Sequence, residues 1–177
     1  QSFNIQQRLS EPKQIAVLID PETYATRQDD LLALCKKLNG SPLDFIFIGG
    51  STVSTEDFDI CASFLKEHCK LPLVIFPGSP NQISKKADGI LLLSLISGRN
   101  PDYLIGHHVH AAPVLDKMNI EILPTGYILV DGGNLSSVAY VSQTTPIPQD
   151  KVSIVVNTAL AGTQIGLKNL FIDAGSG

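Results

Sequence analysis

One stretch of the sequence, residues 87–106 (ADGILLLSLISGRNPDYLIG), constrains the fold more than any other. Positions 90–93 form an unbroken aliphatic run, which is typical of a strand buried on both faces of a parallel sheet. Ser, Gly, Arg and Asn follow the run and indicate a loop. Pro101 and Asp102 suit the first turn of a helix, where a missing N–H costs little and a carboxylate meets the positive end of the dipole. The stretch therefore predicts a buried strand, a polar loop and a following helix.

This strand–loop–helix unit recurs along the chain. Apolar runs predict five further buried strands, at residues 14–20, 44–48, 71–76, 120–130 and 170–173. Pro124 and Gly126 predict a bulge or bend in the strand at 120–130. Residues 135–140 are predicted to be a further extended piece. Helices are predicted at residues 29–38, 55–69, 81–86, 101–118 (irregular at Pro113) and 152–167, with a short leading helix within residues 1–13.

Strands that alternate with helices predict an α/β fold with right-handed parallel crossovers. Two architectures fit, a doubly wound open sheet and a (β/α)8 barrel, and both bind ligands at the carboxyl ends of their strands. The spacing of apolar residues does not choose between them. The first predicted strand is not followed by GxGxxG, so the commonest nucleotide-binding signature of open sheets is absent.

Composition narrows the class of protein. A chain of 177 residues that is 44% hydrophobic can bury one substantial core, so we expect a single domain over residues 1–177. The net charge of -4 argues against nucleic acid as a partner. The sequence contains no signal-like or membrane-spanning run, which predicts a cytoplasmic protein. Cys35, Cys61 and Cys69 lack metal-site spacing and are predicted to be buried or half-buried reduced thiols. The four histidines are predicted to form no metal site.

Polar residues follow the first two predicted strands. Asp20 ends the first strand, and Ser51 and Thr52 follow a Gly-Gly pair at the end of the second. A carboxylate and a hydroxyl from neighbouring strands can together bind Mg²⁺, a hard cation that bridges to phosphates. A capping role for Asp20 and an ordinary turn at Ser51 stay open from the residues alone.

The last predicted strand is followed by Ala-Gly-Ser-Gly at residues 174–177. Glycines allow backbone N–H groups to turn inward, and a serine hydroxyl adds a donor, which together can form a phosphate-binding nest. Asp173 precedes this segment and can accept a hydrogen bond from a substrate hydroxyl or cap the turn. A plain strand-to-helix turn is the alternative.

With these residues in view, the chain resembles the geranylgeranylglyceryl phosphate synthase family, including its bacterial heptaprenylglyceryl phosphate synthase branch. Five segments carry the resemblance by their order and spacing. They are residues 15–22 (IAVLIDPE), 46–54 (IFIGGSTVS), 87–106, 121–133 (EILPTGYILVDGG) and 159–177 (ALAGTQIGLKNLFIDAGSG). The resemblance implies a modified TIM barrel that joins a polyprenyl diphosphate to sn-glycerol 1-phosphate through an ether bond and releases diphosphate.

The resemblance also implies roles for individual residues. Asp20 and Ser51 match the positions linked to Mg²⁺ in the family. Asp173 is expected to orient or deprotonate the glycerol hydroxyl. Phe171 and Asp173 stand where the family usually has Tyr and Glu, and Leu18 stands where one branch carries Lys. The expected glycerol phosphate segment is Phe171, Ile172, Asp173, Ala174, Gly175, Ser176 and Gly177, and the expected prenyl groove includes Ser94, Asn100, Tyr103 and Tyr127.

Further expectations concern partners and alternatives. The resemblance implies small-molecule substrates, a homo-oligomer and peripheral contact with membrane lipid. Another phosphate-binding barrel, an isomerase or aldolase that uses Asp20 as an acid–base group without metal, is the alternative enzyme. A non-catalytic barrel fragment that acts as an assembly module is the alternative outside enzymes.

The length of the chain adds one more expectation. A (β/α)8 barrel usually takes about 250 residues, so the last two strand units are expected to be missing. Their loss would expose apolar strand edges at residues 15–19 and 170–172, which promotes association. A polypeptide that ends at Gly177 is therefore predicted to be poorly soluble and inactive until the missing strands are supplied.

Overall fold

The computed structural model describes residues 4–24, 27–50 and 52–175. These residues divide into two compact units, each described by itself. The first unit contains Gln1–Leu91 and Pro113–Ile122, and the second contains Leu92–Ala112 and Leu123–Gly177.

The first unit is built on parallel strands that pair in the order of the chain. Its elements are α1 (Ile5–Leu9), β1 (Ala16–Ile19), a 3-10 turn (Pro21–Thr23), α2 (Gln28–Asn39), β2 (Phe45–Ile48), α3 (Thr55–His68), β3 (Leu73–Ile75) and the start of β4 (Gly89–Leu95). β1 pairs with β2, β2 with β3, and β3 with β4, in a register that places Ala16 beside Phe45 and Val74 beside Gly89.

The core of the first unit lies around β2 and β3. Both strands are short aliphatic and aromatic runs, and every residue of β3 is buried. Helices α2 and α3 begin with acidic residues and end with basic ones, which stabilises each helix through its dipole. Their buried stripes include Leu31, Cys35, Phe58, Cys61 and Leu65.

The prediction of a buried first strand is wrong. Ala16 and Leu18 are exposed, and Ile19 is the only buried residue of β1. Ala16 and Leu18 lie on the same face of β1, because successive side chains alternate between the two faces of a strand, and that face is open to solvent. Burial on both faces, which the aliphatic run favoured, is found in β3 instead.

The second unit carries the later strands. Its elements are the end of β4, a π-helical turn (Asp102–Gly106), most of α4 (His107–Leu115), nearly all of β5 (Glu121–Leu129), α5 (Ser137–Ser142), α6 (Val152–Gln164) and β6 (Asn169–Asp173). β5 and β6 are parallel, and Tyr127 lies beside Phe171 in their register. The register matters for function because it brings two predicted site residues together.

Three predictions of local structure are wrong. Residues 81–86 form turns instead of a helix, because the side chains of Gln82 and Ser84 make hydrogen bonds outside the segment. Residues 135–140 are not extended, since Ser136 caps α5 by accepting from the N–H of Ala139. The helix that begins at 101 is irregular at its π-helical turn, and α4 continues through Pro113.

The predicted interruption of the fifth strand is also wrong. β5 is continuous from Glu121 to Leu129. Gly126 is needed for packing, since a Cβ there would lie 2.8 Å from Ile96 and 3.0 Å from Leu167 and Leu170. The glycine therefore allows close contact with neighbouring side chains without breaking the strand.

The structure tests the prediction for the cysteines. All three cysteines are free thiols, with Cys35 and Cys61 buried and Cys69 half-buried, which confirms that prediction. Within residues 4–24, 27–50 and 52–175, His, Cys, Asp and Glu form no cluster of three or more that could hold a metal ion. No helix in the described part of the chain is both long and apolar enough to cross a membrane.

Candidate functional site

Asp20 lies directly after β1 and begins the 3-10 turn. Its Oδ1 accepts a hydrogen bond from the N–H of Glu22 at 3.0 Å, so the capping role is confirmed. No hydrogen bond to the Oδ2 of Asp20 occurs among the described residues of the first unit. An ionised carboxylate has about four lone-pair sites, so the cap leaves capacity on Asp20 for a cation.

The loop after β2 lies against this carboxylate. A Cβ on Gly50 would collide with Oδ1 of Asp20 and would lie 2.8 Å from Cγ2 of Val53. A Cβ on Gly49 would collide with the carbonyl oxygen of Phe76. The Gly-Gly pair therefore allows the backbone after β2 to approach the carboxyl end of β1 closely.

Gln82 holds this loop from the other side, and the sequence did not identify it. The side chain is 1% exposed. Its Nε2 donates to the carbonyl of Gly50 at 2.5 Å, and its Oε1 accepts from the N–H of Gly78 at 2.9 Å and of Gly50 at 3.4 Å. A polar residue just after the Pro-Gly-Ser-Pro turn could have indicated a role in holding the loops. The predicted helix at residues 81–86 argued against such a role.

A second contact joins the two loops at the solvent side. The Thr52 hydroxyl donates to Oε2 of Glu22 at 2.6 Å. Mg²⁺ prefers oxygen ligands such as carboxylates and hydroxyls. The side chains of Asp20, Glu22 and Thr52 are therefore of a type that fits the predicted cation. Ser51, the second predicted metal residue, lies outside the described residues.

In the second unit, Asp173 ends β6, and both of its carboxylate oxygens accept hydrogen bonds. Oδ1 accepts from the N–H of Gly175 at 2.8 Å, and Oδ2 accepts from the hydroxyl of Tyr127 at 2.6 Å. Short bonds to an ionised acceptor are among the stronger hydrogen bonds in proteins. They fix the direction of the carboxylate while each oxygen keeps a lone pair for another donor.

Tyr127 is well suited to hold Asp173. Its side chain is buried in a cluster with Leu95, Leu129 and Ala139. Burial raises the pKa of Tyr127 above its ordinary value, and the hydrogen bond to Asp173 raises it further. The hydroxyl therefore stays protonated, and remains a donor, throughout the neutral range. The ring of Phe171 packs edge-on against Tyr127 with centroids 5.4 Å apart.

The segment after Asp173 turns through a glycine. Gly175 has φ +82°, in the left-handed region that glycine adopts without strain. A Cβ on Gly175 would lie 3.1 Å from Cβ of Ser136, and a Cβ on Gly132 would collide with the carbonyl of Ala174. The turn is therefore closely packed. Ser176 and Gly177 of the predicted phosphate nest lie outside the described residues.

The four predicted groove residues have different surroundings. Tyr127 and Tyr103 belong to, or pack against, the apolar cluster that also contacts Phe171. The Ser94 hydroxyl donates to the carbonyl of Leu104 at 2.7 Å. The amide of Asn100 donates to the carbonyl of Ser142 at 2.7 Å. Tyr127 thus lies inside an apolar cluster against which Tyr103 packs, while Ser94 and Asn100 hold the backbone around the loop after β4.

Comparison with known proteins supplies independent information. The family model described as the PcrB family matches residues 7–177. Geranylgeranylglyceryl phosphate synthase of Zunongwangia profunda is 51% identical over 93% of this chain and 69% of its own length. The protein of the same name from Chitinophaga pinensis is 49% identical over 93% of this chain and 65% of its own length. The chain therefore spans about two thirds of these relatives.

Solved structures agree with the sequence matches. A crystal structure of (S)-3-O-geranylgeranylglyceryl phosphate synthase from Thermoplasma acidophilum, in complex with its substrate sn-glycerol-1-phosphate, matches with a TM-score of 0.86 at 32% identity. It covers 98% of this chain and 69% of that protein. The wild-type GGGPS of Thermoplasma volcanium matches with a TM-score of 0.87 at 31% identity. These similarities confirm the predicted family resemblance and the modified TIM-barrel fold class.

Proposed function

Because the chain belongs to the PcrB family, we propose that it is a prenyltransferase that joins a polyprenyl diphosphate to sn-glycerol 1-phosphate. The names of the relatives and the substrate bound in the Thermoplasma acidophilum structure support this activity. The arrangement at the end of β6 carries the proposal. There a carboxylate, fixed by a buried tyrosine and a backbone N–H, stands in the segment expected to bind glycerol phosphate.

Asp173 is proposed to act on the glycerol hydroxyl. The hydroxyl donates to a free lone pair of the carboxylate, and its oxygen attacks the allylic carbon of the prenyl diphosphate. The new carbon–oxygen bond forms as the bond to diphosphate breaks, and the hydroxyl proton passes to Asp173. This role requires hydrogen-bond reach, and the two bonds that hold Asp173 define the direction of its oxygens.

Asp20 and Ser51 are proposed to hold Mg²⁺, whose charge would neutralise the leaving diphosphate. The partly accessible Asp20 carboxylate and the close approach of Gly50 support the assignment of Asp20. Phe171, Ile172, Ala174, Gly175, Ser176 and Gly177 are proposed to complete the glycerol phosphate site around Asp173.

The prenyl chain is proposed to lie on an apolar surface formed by Tyr103 and by the cluster in which Tyr127 is buried. Tyr103 packs against the cluster that contains Tyr127, and its ring meets that of His107 edge-on with centroids 4.8 Å apart. Ser94 and Asn100 support this surface through their bonds to backbone carbonyls.

Three broader expectations belong to the proposal. The enzyme is proposed to be cytoplasmic, to form a homo-oligomer and to touch membrane lipid peripherally. The amphiphilic character of a prenylglyceryl phosphate supports the lipid contact, because such a product partitions to a membrane surface.

The test is a transfer assay. Radiolabelled sn-glycerol 1-phosphate is incubated with geranylgeranyl diphosphate, Mg²⁺ and protein, and the mixture is extracted with organic solvent. We expect label in the organic phase, complete loss of transfer with EDTA, and no transfer from sn-glycerol 3-phosphate. The assay uses the 177-residue chain and a chimera, which is the Zunongwangia profunda relative with its matching segment replaced by this chain. Label that stays aqueous with both proteins would refute the proposal, and transfer that resists EDTA would refute its Mg²⁺ component.

A further inference from the structure

Gln82 is a buried amide whose hydrogen-bonding capacity is directed at two loops. It lies in the turns between β3 and β4, where a polar side chain that is 1% exposed must find partners to offset its desolvation. Its side-chain hydrogen bonds with described residues go to backbone groups, namely the N–H and carbonyl of Gly50 and the N–H of Gly78. A single side chain therefore joins the loop that follows β2 to the loop that follows β3.

The loop after β2 has little freedom to move on its other side. Gly50 lies against the Asp20 carboxylate, and Gly49 lies against the carbonyl of Phe76. Glu22 and Thr52 add a bond between the turn after Asp20 and the same loop. Gln82 thus holds the backbone of Gly50 at the position where this glycine contacts Asp20.

We propose that Gln82 is a positioning residue for cation binding at Asp20, acting through the backbone of Gly50. The inference rests on the Mg²⁺ site of the proposed function. Without the amide, Gly50 loses two of its hydrogen bonds, and the loop that leads into Ser51 gains freedom beside the carboxylate. The folded protein then binds the cation more weakly, because part of the binding free energy is used to order the loop.

The experiment measures cation binding directly, with Mn²⁺ as the probe and electron paramagnetic resonance of the free ion as the readout. The 177-residue chain is compared with Gln82→Met, which keeps the length of the side chain and removes its hydrogen bonds. Loss of a supporting contact typically weakens metal binding by about 10-fold or more, and we expect Gln82→Met to raise the dissociation constant of Mn²⁺ by about 10-fold. Asp20→Asn is expected to abolish the binding.

Ser84→Ala is the matched control. Ser84 is also buried in the same turn segment, at 2% exposure, but its hydroxyl bonds to Asp59. The control is expected to lower the melting temperature, as Gln82→Met does, and to leave Mn²⁺ affinity unchanged.

Several outcomes would overturn the inference. They are equal Mn²⁺ affinity in the wild type and Gln82→Met, an equal loss of affinity in Ser84→Ala, and Mn²⁺ binding that survives Asp20→Asn or is absent from the wild type. Because the readout needs no turnover, failure of the transfer assay with intact Mn²⁺ binding refutes the prenyltransferase reaction without refuting the role of Gln82.

Discussion

Asp20 and Asp173 both stand at the carboxyl ends of strands, and both accept a hydrogen bond from the N–H two residues later. The two sites differ in the other hydrogen-bond donors that contact the carboxylate. Asp173 also accepts from the hydroxyl of Tyr127, 46 residues away in sequence. Among the described residues of its unit, Asp20 receives no second donor, and the surrounding loop is held instead by Gln82. The comparison suggests a carboxylate fixed for proton transfer in one unit and a carboxylate left open to a cation in the other.

The strongest test of this difference is removal of the Asp173 carboxylate. General acid–base groups contribute about 100- to 10,000-fold to rate, so we expect Asp173→Ala to reduce kcat by about 1,000-fold. Asp150→Ala is the control, since the Asp150 side chain is 70% exposed and pairs with its neighbour Lys151. Both rates are measured by the transfer assay with whichever of the two proteins is active. A decrease in kcat smaller than tenfold would show that Asp173 does not accept the proton in the reaction.

A second test compares the glycines beside the two aspartates. Gly50→Ala places a Cβ against the Asp20 carboxylate, and such overpacking costs about 1–3 kcal/mol. Gly175→Ala forces alanine to a φ of +82°, which costs about 1–2 kcal/mol. Gly40→Ala is the control, because its nearest atoms are 3.8 and 3.9 Å away and its φ is -101°. The free energy of unfolding is measured in urea. Equal stability of all three variants would show that neither glycine is required.

A third test removes the one contact that distinguishes Asp173. Tyr127→Phe keeps the ring in its cluster and deletes the hydroxyl, so that among the described residues of its unit the carboxylate keeps the bond from the N–H of Gly175. We expect kcat to fall about 10-fold, in proportion to a lost hydrogen bond to a charged group. Tyr140→Phe, at a position that is 67% exposed, should leave kcat unchanged.

If Tyr127 acts through Asp173, adding Tyr127→Phe to Asp173→Ala should cause no further loss of kcat. Additive losses would indicate a separate role for the tyrosine.

The smallest expected effect is the response of each unit to alkaline pH. Burial raises the pKa of the Cys61 and Cys69 thiols from 9.0 to about 12, and burial also raises the pKa of Tyr127 above 10.0. The unfolded chain loses these protons first as the pH rises. The contribution of each group to the free energy of unfolding is therefore fully present below its pKa in the unfolded chain and decreases above that pKa. The fall should begin near pH 9 for the thiols of the first unit and near pH 10 for Tyr127 in the second.

Urea midpoints between pH 8 and 11 check this prediction. Cys61→Ala should flatten the decline that begins near pH 9, and Tyr127→Phe should flatten only the part above pH 10. Identical profiles for the wild type and both variants would contradict it.

Much of the fold could be predicted because its signals are local. The apolar runs of β2, β3 and β4 and the amphipathic helices α2 and α3 all end within two residues of the predicted bounds. One failure occurred where side chains bond beyond their own segment. Gln82 and Ser84 hold turns where a helix was predicted, through bonds to Gly50 and Asp59 that local propensity cannot anticipate. The failure at residues 135–140 was a local one, since Ser136 caps α5 by accepting from the N–H of Ala139 three residues later.

The sequence by itself determined that Asp20 and Asp173 stand at the ends of strands, because each follows an apolar run. It also determined the turn at Gly175, because glycine adopts a positive φ without strain. Tertiary structure decided which donors reach each carboxylate. Tyr127 meets Asp173 only through the register of β5 and β6, and Gln82 meets Gly50 only when two loops approach each other. Burial of those groups then strengthens the bonds, since a low local dielectric raises both the value of a satisfied polar contact and the cost of an unsatisfied one.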